Sequence, residues 1–402
     1  MKFLLVPGNN SLSHLAKCFV LEETLSSKGH EVLIAVNKKH SFFIRSIGKD
    51  HVILPDIQEA DDAPFPTIYW FKNPNCILEC IRSEIKLIKT YKPHRVLGVF
   101  RFTTRIAAGM VGVPYDSLIC GCMLPTSKEV LGFAEGEAGI ELQRENFKSF
   151  YHYINNKINL ALKALDLPDI SDLRELLKGE RTFLWDFPEF MPIQAEADVI
   201  HIGPLTWKKW PHDDLDLDSI VNNHDPLALV AFGTGHTPIS AIERLMTVLL
   251  DLGYRVLLAA GGQKKLLDIV PRDAKVITCK FAPLEDIFPY ISLLICHGGQ
   301  MTVFEALRHK IPTLVMPFQP EQAHNGVCLE RLGCGRRLVP SQPFRGFPEV
   351  YVEALQRMSD QEIKSSIISL ASNPQTAGKL SGISALISKY NGVETLANRL
   401  ED

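Results

Sequence analysis

Short apolar runs alternate with helix-patterned stretches along this chain, and they do so twice. Residues 3–6, 32–36 and 96–100 read as strands, and residues 15–27 and 103–110 read as the helices that follow the first and third of them. Gly29 stands where a helix C-cap belongs. In the second half, strands are expected at 228–232, 255–260, 275–278, 293–296 and 313–316, with a helix at 239–252. Short strands each followed by a helix build a parallel sheet wound on both faces. The expectation is therefore an α/β chain of two doubly wound, Rossmann-like units.

The intervening sequence divides them. Residues 203–225 hold Pro204, Trp207, Trp210, Pro211 and several aspartates, the composition of a linker. Residues 127–177 are helical in pattern, with Phe147, Phe150 and Tyr151 clustered, and read as an insertion capping the first unit. The expected organisation is 1–205 with that insertion, a linker at 206–223, a second unit at 224–375 and C-terminal helices at 376–402.

Bulk properties narrow the function. At 402 residues, 46% hydrophobic and 22% charged, the chain has the profile of a globular protein of two or three domains. A net charge of −3 gives no electrostatic footprint for nucleic acid. Nine cysteines without a CxxC pair point to free thiols in a reducing, cytoplasmic setting. The apolar run at 3–6 ends at Pro7, too short for a signal peptide, and no stretch is long enough to span a bilayer.

The chemistry concentrates after the strand at 293–296. His297-Gly298-Gly299-Gln300-Met301-Thr302-Val303-Phe304-Glu305 turns a strand into a helix through small residues. Such a turn gathers free backbone N–H groups at the positive end of a helix, and phosphate is their usual guest. Thr302 and Glu305 also fit a capping box, which explains them without a ligand but leaves the two glycines unexplained. Downstream, Glu321-Gln322 should lie near this turn, because both follow strand C-termini. A carboxylate beside an amide suits adjacent sugar hydroxyls. Upstream, Phe281-Ala282-Pro283 follows the strand at 275–278 and offers a ring and backbone groups to a flat base.

In order and spacing, Phe281 to Asn325 resembles the donor signature of the GT-B nucleotide-sugar glycosyltransferases, above all the UDP-glycosyltransferases and the bacterial macrolide and enediyne glycosyltransferases. Gly203-Pro204-Leu205 shares the likeness; in the first half it is confined to the opening and the architecture. The resemblance implies two Rossmann-like domains facing across a cleft, with the C-terminal helices packing back on the first. Phe281 and Ala282 then stand at the base; His297, Gly299, Met301 and Thr302 at the diphosphate; Glu305 at the ribose; Glu321 and Gln322 at the sugar. Gly233 and Thr234, after the strand at 228–232, add N–H donors to the phosphates. Leu284 replaces a glutamine of the plant members, and Glu321 replaces the usual aspartate.

The same resemblance makes His14 the general base, in a loop where Ser13 replaces the family's last glycine. Ser11 can N-cap the next helix, which places His14 in its first turn, where the dipole disfavours imidazolium. The family's aspartate partner has no counterpart in Val99-Phe100-Arg101, and Asp116 is the acid nearest in sequence. Asp214-Leu215-Asp216 contains Asp-x-Asp, but its place in the linker reads as a solvated turn rather than a metal site. No G-x-G-x-x-G or P-loop occurs.

The implied activity is inverting, metal-independent hexose transfer, without a cofactor, from a UDP- or dTDP-sugar to a hydroxyl of a small-molecule, natural-product or lipid acceptor. Residues 56–71 and 127–177 should shape the acceptor pocket, with Tyr69, Trp70 and Phe71 hinting at an apolar guest. Two alternatives stand beside it: a sugar-nucleotide epimerase of the same fold, and a catalytically silent sugar-nucleotide-binding subunit.

Overall fold

The computed structural model describes all residues except 9, 10, 56, 58–70, 72, 222, 223, 234–237, 269–272 and 344–348. The expected loop residues Asn9 and Asn10, the donor residue Thr234, and Tyr69 and Trp70 lie outside the described residues. The chain forms two units. One comprises Met1–Lys128, Glu145–Trp207 and Tyr390–Asp402; the other comprises Glu129–Arg144 and Lys208–Lys389.

The first unit is built on seven parallel strands: β1 (Lys2–Pro7), β2 (Glu31–Val36), β3 (His51–Ile53), β4 (Arg95–Val99), β5 (Tyr115–Ile119), β6 (Thr182–Leu184) and β7 (Val199–His201). Their order is β3-β2-β1-β4-β5-β6-β7. β1 registers Leu4 against Leu33 on one side and against Val96 on the other. Covered on both faces, β1 must be apolar throughout, and Phe3 to Val6 are buried. The helix Leu12–Ser27 follows β1 and ends before Gly29, which takes a left-handed φ of 83°.

The last helix, Gly392–Glu401, packs on Leu12–Ser27. Glu401 there meets Lys28 at 3.2 Å and His30 at 2.6 Å. Trp207 closes the unit, its ring 4.9 Å from that of Phe19.

The second unit holds six parallel strands: β8 (Leu227–Ala231), β9 (Arg255–Ala259), β10 (Val276–Cys279), β11 (Ile291–Cys296), β12 (Thr313–Val315) and β13 (Gly335–Arg337). Their order is β10-β9-β8-β11-β12-β13.

Three segments group differently from the sequence expectation. Residues 129–144 belong with the second unit, where Glu137 pairs with Arg337 at 3.0 Å and Glu129 with His324 at 2.8 Å. The helix Pro374–Ile387 is also in the second unit, anchored by a Ser384 hydroxyl donating to the Arg308 carbonyl at 2.6 Å. The linker residue Asp213 is docked rather than free: its N–H donates to the Phe281 carbonyl at 2.9 Å. Each grouping rests on charge or hydrogen-bond pairing between residues far apart in sequence, which local composition does not register.

All nine cysteines are free. Among the described residues, no helix is long and apolar enough to cross a membrane.

Candidate functional site

In the second unit the strand order reverses between β8 and β11, and a crevice opens at the carboxyl ends of strands at such a point. Gly233 follows β8, and His297-Gly298-Gly299 follows β11. Gly298 has φ +88°, and a Cβ there would lie 2.6 Å from the Gln322 carbonyl oxygen. A side chain at Gly233 or Gly299 would run into the His297 ring, at 3.1 and 2.5 Å. The glycines keep space around one imidazole and let the turn press against the helix Pro320–Leu332.

The capping-box reading of Thr302 is overturned. The helix runs Gln300–Arg308 with Gly299 as N-cap, so Thr302 is its third residue and caps nothing. The extended backbone of Gly299 starts the helix three residues before the position a Thr-x-x-Glu pattern assigns. Glu305 instead lies near Arg308 and His309, at 3.6 and 4.0 Å. No side chain caps this helix start, and its first turn has no acidic residue. The N–H groups of Gln300, Met301 and Thr302 therefore keep their attraction for an anion. Beside them the buried Nδ1 of His297 has no hydrogen-bond partner among the described residues. Burial, partly offset by a hydrogen bond with the Ala231 backbone, lowers the pKa of His297 to about 4. The ring is neutral near pH 7, and its single N–H is engaged by the Ala231 backbone.

The first turn of the helix Pro320–Leu332 comes to the same place, as expected. Gln322 accepts the Phe318 N–H at 2.9 Å. Asn325, fully buried, donates to the Gly298 carbonyl at 2.9 Å and to Glu321 at 3.2 Å. This clamp between the turn and the Glu321-Gln322 pair has no signature of its own in the sequence. At the end of β10, the Phe281 ring is 40% exposed and lies over Gly262, whose Cβ would be 3.2 Å away. Ala282 is buried, its carbonyl accepting the Leu284 N–H at 2.8 Å.

In the first unit the reversal falls between β1 and β4. Ser11 is the N-cap of Leu12–Ser27, its hydroxyl accepting the Ser13 N–H at 3.1 Å, so His14 sits in the first turn as expected. The imidazole is buried, stacked on Phe100 at 5.0 Å and tilted against Trp185 at 5.6 Å. Burial is the largest cause that lowers its pKa, to about 3; Lys17 and His40 lower it further, and a hydrogen bond with the Gly8 backbone opposes them.

No carboxylate among the described residues bonds His14, whose buried Nδ1 has no partner. Asp116 is excluded as its orienting acid. It is held by Arg95 at 3.0 Å and Arg181 at 2.8 Å. Phe100 fills the end of β4 with φ +53°, a left-handed conformation that costs about 1–3 kcal/mol for a side-chain-bearing residue. Phe100, Trp185 and Lys17 were not legible as site residues, because they come from three separate segments.

One further cluster resembles a metal site. The ligand atoms of Glu129, His324 and Cys328 lie within 4.8 Å of one another. The Arg331 guanidinium bonds Glu129 and reaches Cys328 at 3.6 Å, so a cation's place in the cluster is already taken. The Asp-x-Asp aspartates, Asp214 and Asp216, are exposed.

Residues 243–361 match the glycosyltransferase family 28 C-terminal domain. A PGL/p-HBAD biosynthesis glycosyltransferase of Mycobacterium tuberculosis is 21% identical over 360 residues, 83% of this chain and 80% of that protein. The crystal structure of the glycotransferase of kitacinnamycin superimposes with a TM-score of 0.76 at 17% identity, covering 100% of this chain and 98% of the other. The spinosyn rhamnosyltransferase SpnG complexed with thymidine diphosphate gives a TM-score of 0.72 at 18% identity, covering 100% of both chains. The two parallel-sheet units are those of the GT-B fold.

Proposed function

We propose, for a chain that is a glycosyltransferase of GT-B fold with a family 28 C-terminal domain, that it performs inverting, metal-independent hexose transfer from a nucleoside-diphosphate sugar to a hydroxyl acceptor. The observation that carries the donor half is the uncapped start of Gln300–Arg308 beside the unpartnered Nδ1 of His297. The helix start offers several N–H donors and its dipole to a diphosphate. A thymidine diphosphate donor is supported by the complex recorded for the spinosyn rhamnosyltransferase; a uridine diphosphate donor offers the same phosphates.

His14 takes the acceptor proton as the acceptor oxygen bonds to the anomeric carbon. The bond from that carbon to the diphosphate oxygen breaks, and its electron pair leaves with the nucleotide. The N–H groups and dipole of the helix start beside His297 stabilise the departing charge. Glu321 and Gln322 hold the sugar, Glu305 the ribose, and Phe281 with Ala282 the base. No cofactor takes part.

Calorimetric titration with dTDP and UDP tests the donor half, and His14→Ala tests the base. The expected variant binds nucleotide normally and loses transfer by about 100-fold or more. Wild-type turnover in that variant removes His14 from the role. One observation favours a second reading, a catalytically silent donor-binding subunit: among the described residues, no carboxylate bonds His14. Donor binding with neither transfer nor hydrolysis would establish it.

A further inference from the structure

We propose, resting on the reading that places the nucleotide base at Phe281 and Ala282, that the linker residue Asp213 is a positioning residue of donor binding. It holds the Lys280-Phe281 turn so that the Phe281 ring stands where the base stacks.

β10 lies at the edge of its sheet, with a strand neighbour, β9, on one side only. The turn that follows β10 is tied to the β9 side by Gly262, whose N–H donates to the Lys280 carbonyl at 3.2 Å. The Phe281 ring is 40% exposed, so core packing does not fix it, and the backbone beneath it sets where it stands.

Asp213 supplies the hold from the linker. Its carboxylate accepts the Lys280 N–H at 2.6 Å, and its own N–H donates to the Phe281 carbonyl at 2.9 Å. The two bonds run in opposite directions to consecutive residues of the turn, so they set its orientation as well as its distance. The carboxylate bond is charge-assisted, which makes it shorter and stronger than a neutral one. Among the described residues, no other side chain bonds the backbone of Lys280 or Phe281. Without such a partner, the end of an edge strand leaves its N–H and C=O groups open to water.

Lys208 and Glu285 make a second tie between the same two segments. Both are exposed, and such pairs contribute little. Ala282 is fixed independently, its carbonyl accepting the Leu284 N–H at 2.8 Å. Loss of the Asp213 carboxylate therefore loosens the half of the turn that carries the ring and leaves the Ala282 half in place. The phosphate end of the site is built on β8 and β11, and among the described residues it has no bond to Asp213. Asp213 acts through Phe281 and touches no reacting atom.

Calorimetric titration of the full chain with UDP and dTDP, run as a double-mutant cycle, tests this. Asp213→Ala should weaken both nucleotides about tenfold. Asp213→Asn, whose amide oxygen still accepts the Lys280 N–H, should bind within about threefold of the unaltered chain. Phe281→Ala should lose about tenfold or more, the contribution of a base stacked on an aromatic ring. Because Asp213 acts through that ring, adding Asp213→Ala to Phe281→Ala should cost nothing further. A side chain that merely steadied the fold would weaken binding in both backgrounds.

Unaltered affinity in Asp213→Ala, no rescue by Asp213→Asn, or losses that add in the double variant overturn the proposal while Phe281→Ala stays weak. Unaltered affinity in Phe281→Ala defeats the base reading beneath it, and failure of the unaltered chain to bind either nucleotide defeats the donor reading itself. The proposal falls with either.

Discussion

The two units share a strand order, and each brings a histidine to the point where that order reverses, β1/β4 in the first and β8/β11 in the second. They finish the crevice in opposite ways. Around His297 there are glycines and a helix start that no side chain caps. Around His14 the helix start is capped by Ser11, and aromatic rings close on the imidazole. The same topology thus yields an uncapped, glycine-lined helix start in one unit and a shielded, neutral imidazole in the other. Side-chain volume, not strand order, makes the difference.

That comparison can be broken at several points. Gly298→Ala should have the largest effect. It forces a Cβ against the Gln322 carbonyl at a left-handed φ, costing about 3 kcal/mol and abolishing nucleotide binding, as calorimetry would show. Binding at wild-type affinity would show that the turn does not need its glycine.

The pH dependence of stability should oppose His324 to His14. The pKa of His324 is raised to about 10, burial opposing the pull of Cys328 and Glu129. Its stabilisation is present below pH 6.5 and lost as pH rises toward 10. The pKa of His14 is lowered to about 3, so its contribution is lost as pH falls from 6.5 toward 3. Thermal melts across pH should show both limbs, and Glu129→Gln should flatten the alkaline one; an unchanged alkaline limb would contradict the pairing. Asn325→Ala should cost about 1–3 kcal/mol, because the Gly298 carbonyl and Glu321 lose their donor. Ser11→Ala, removing the cap the other helix lacks, should cost about 1 kcal/mol by chemical denaturation.

Much of this was legible in the sequence. Strands buried on both faces must be apolar runs, so β1, β8 and β11 stood out, and glycines beside a histidine marked the turn. The convergence of Glu321-Gln322 on that turn followed from the rule that ligand residues gather at strand C-termini. The Thr302/Glu305 capping box failed, because a four-residue pattern says nothing of the backbone before it, and Gly299 had already started the helix.

The order of residues by itself determined the two parallel sheets, the glycine turn at His297 and the placing of His14 in a capped first turn. These depend on periodicity, backbone freedom and neighbours within a few positions. Only the tertiary structure decided what each histidine meets. Asn325 bridges to Gly298, 27 residues away. Phe100 and Trp185 reach His14 from separate strands, and two arginines claim Asp116. Burial and pairing are properties of space, and they set whether an imidazole is charged, oriented or open to a ligand.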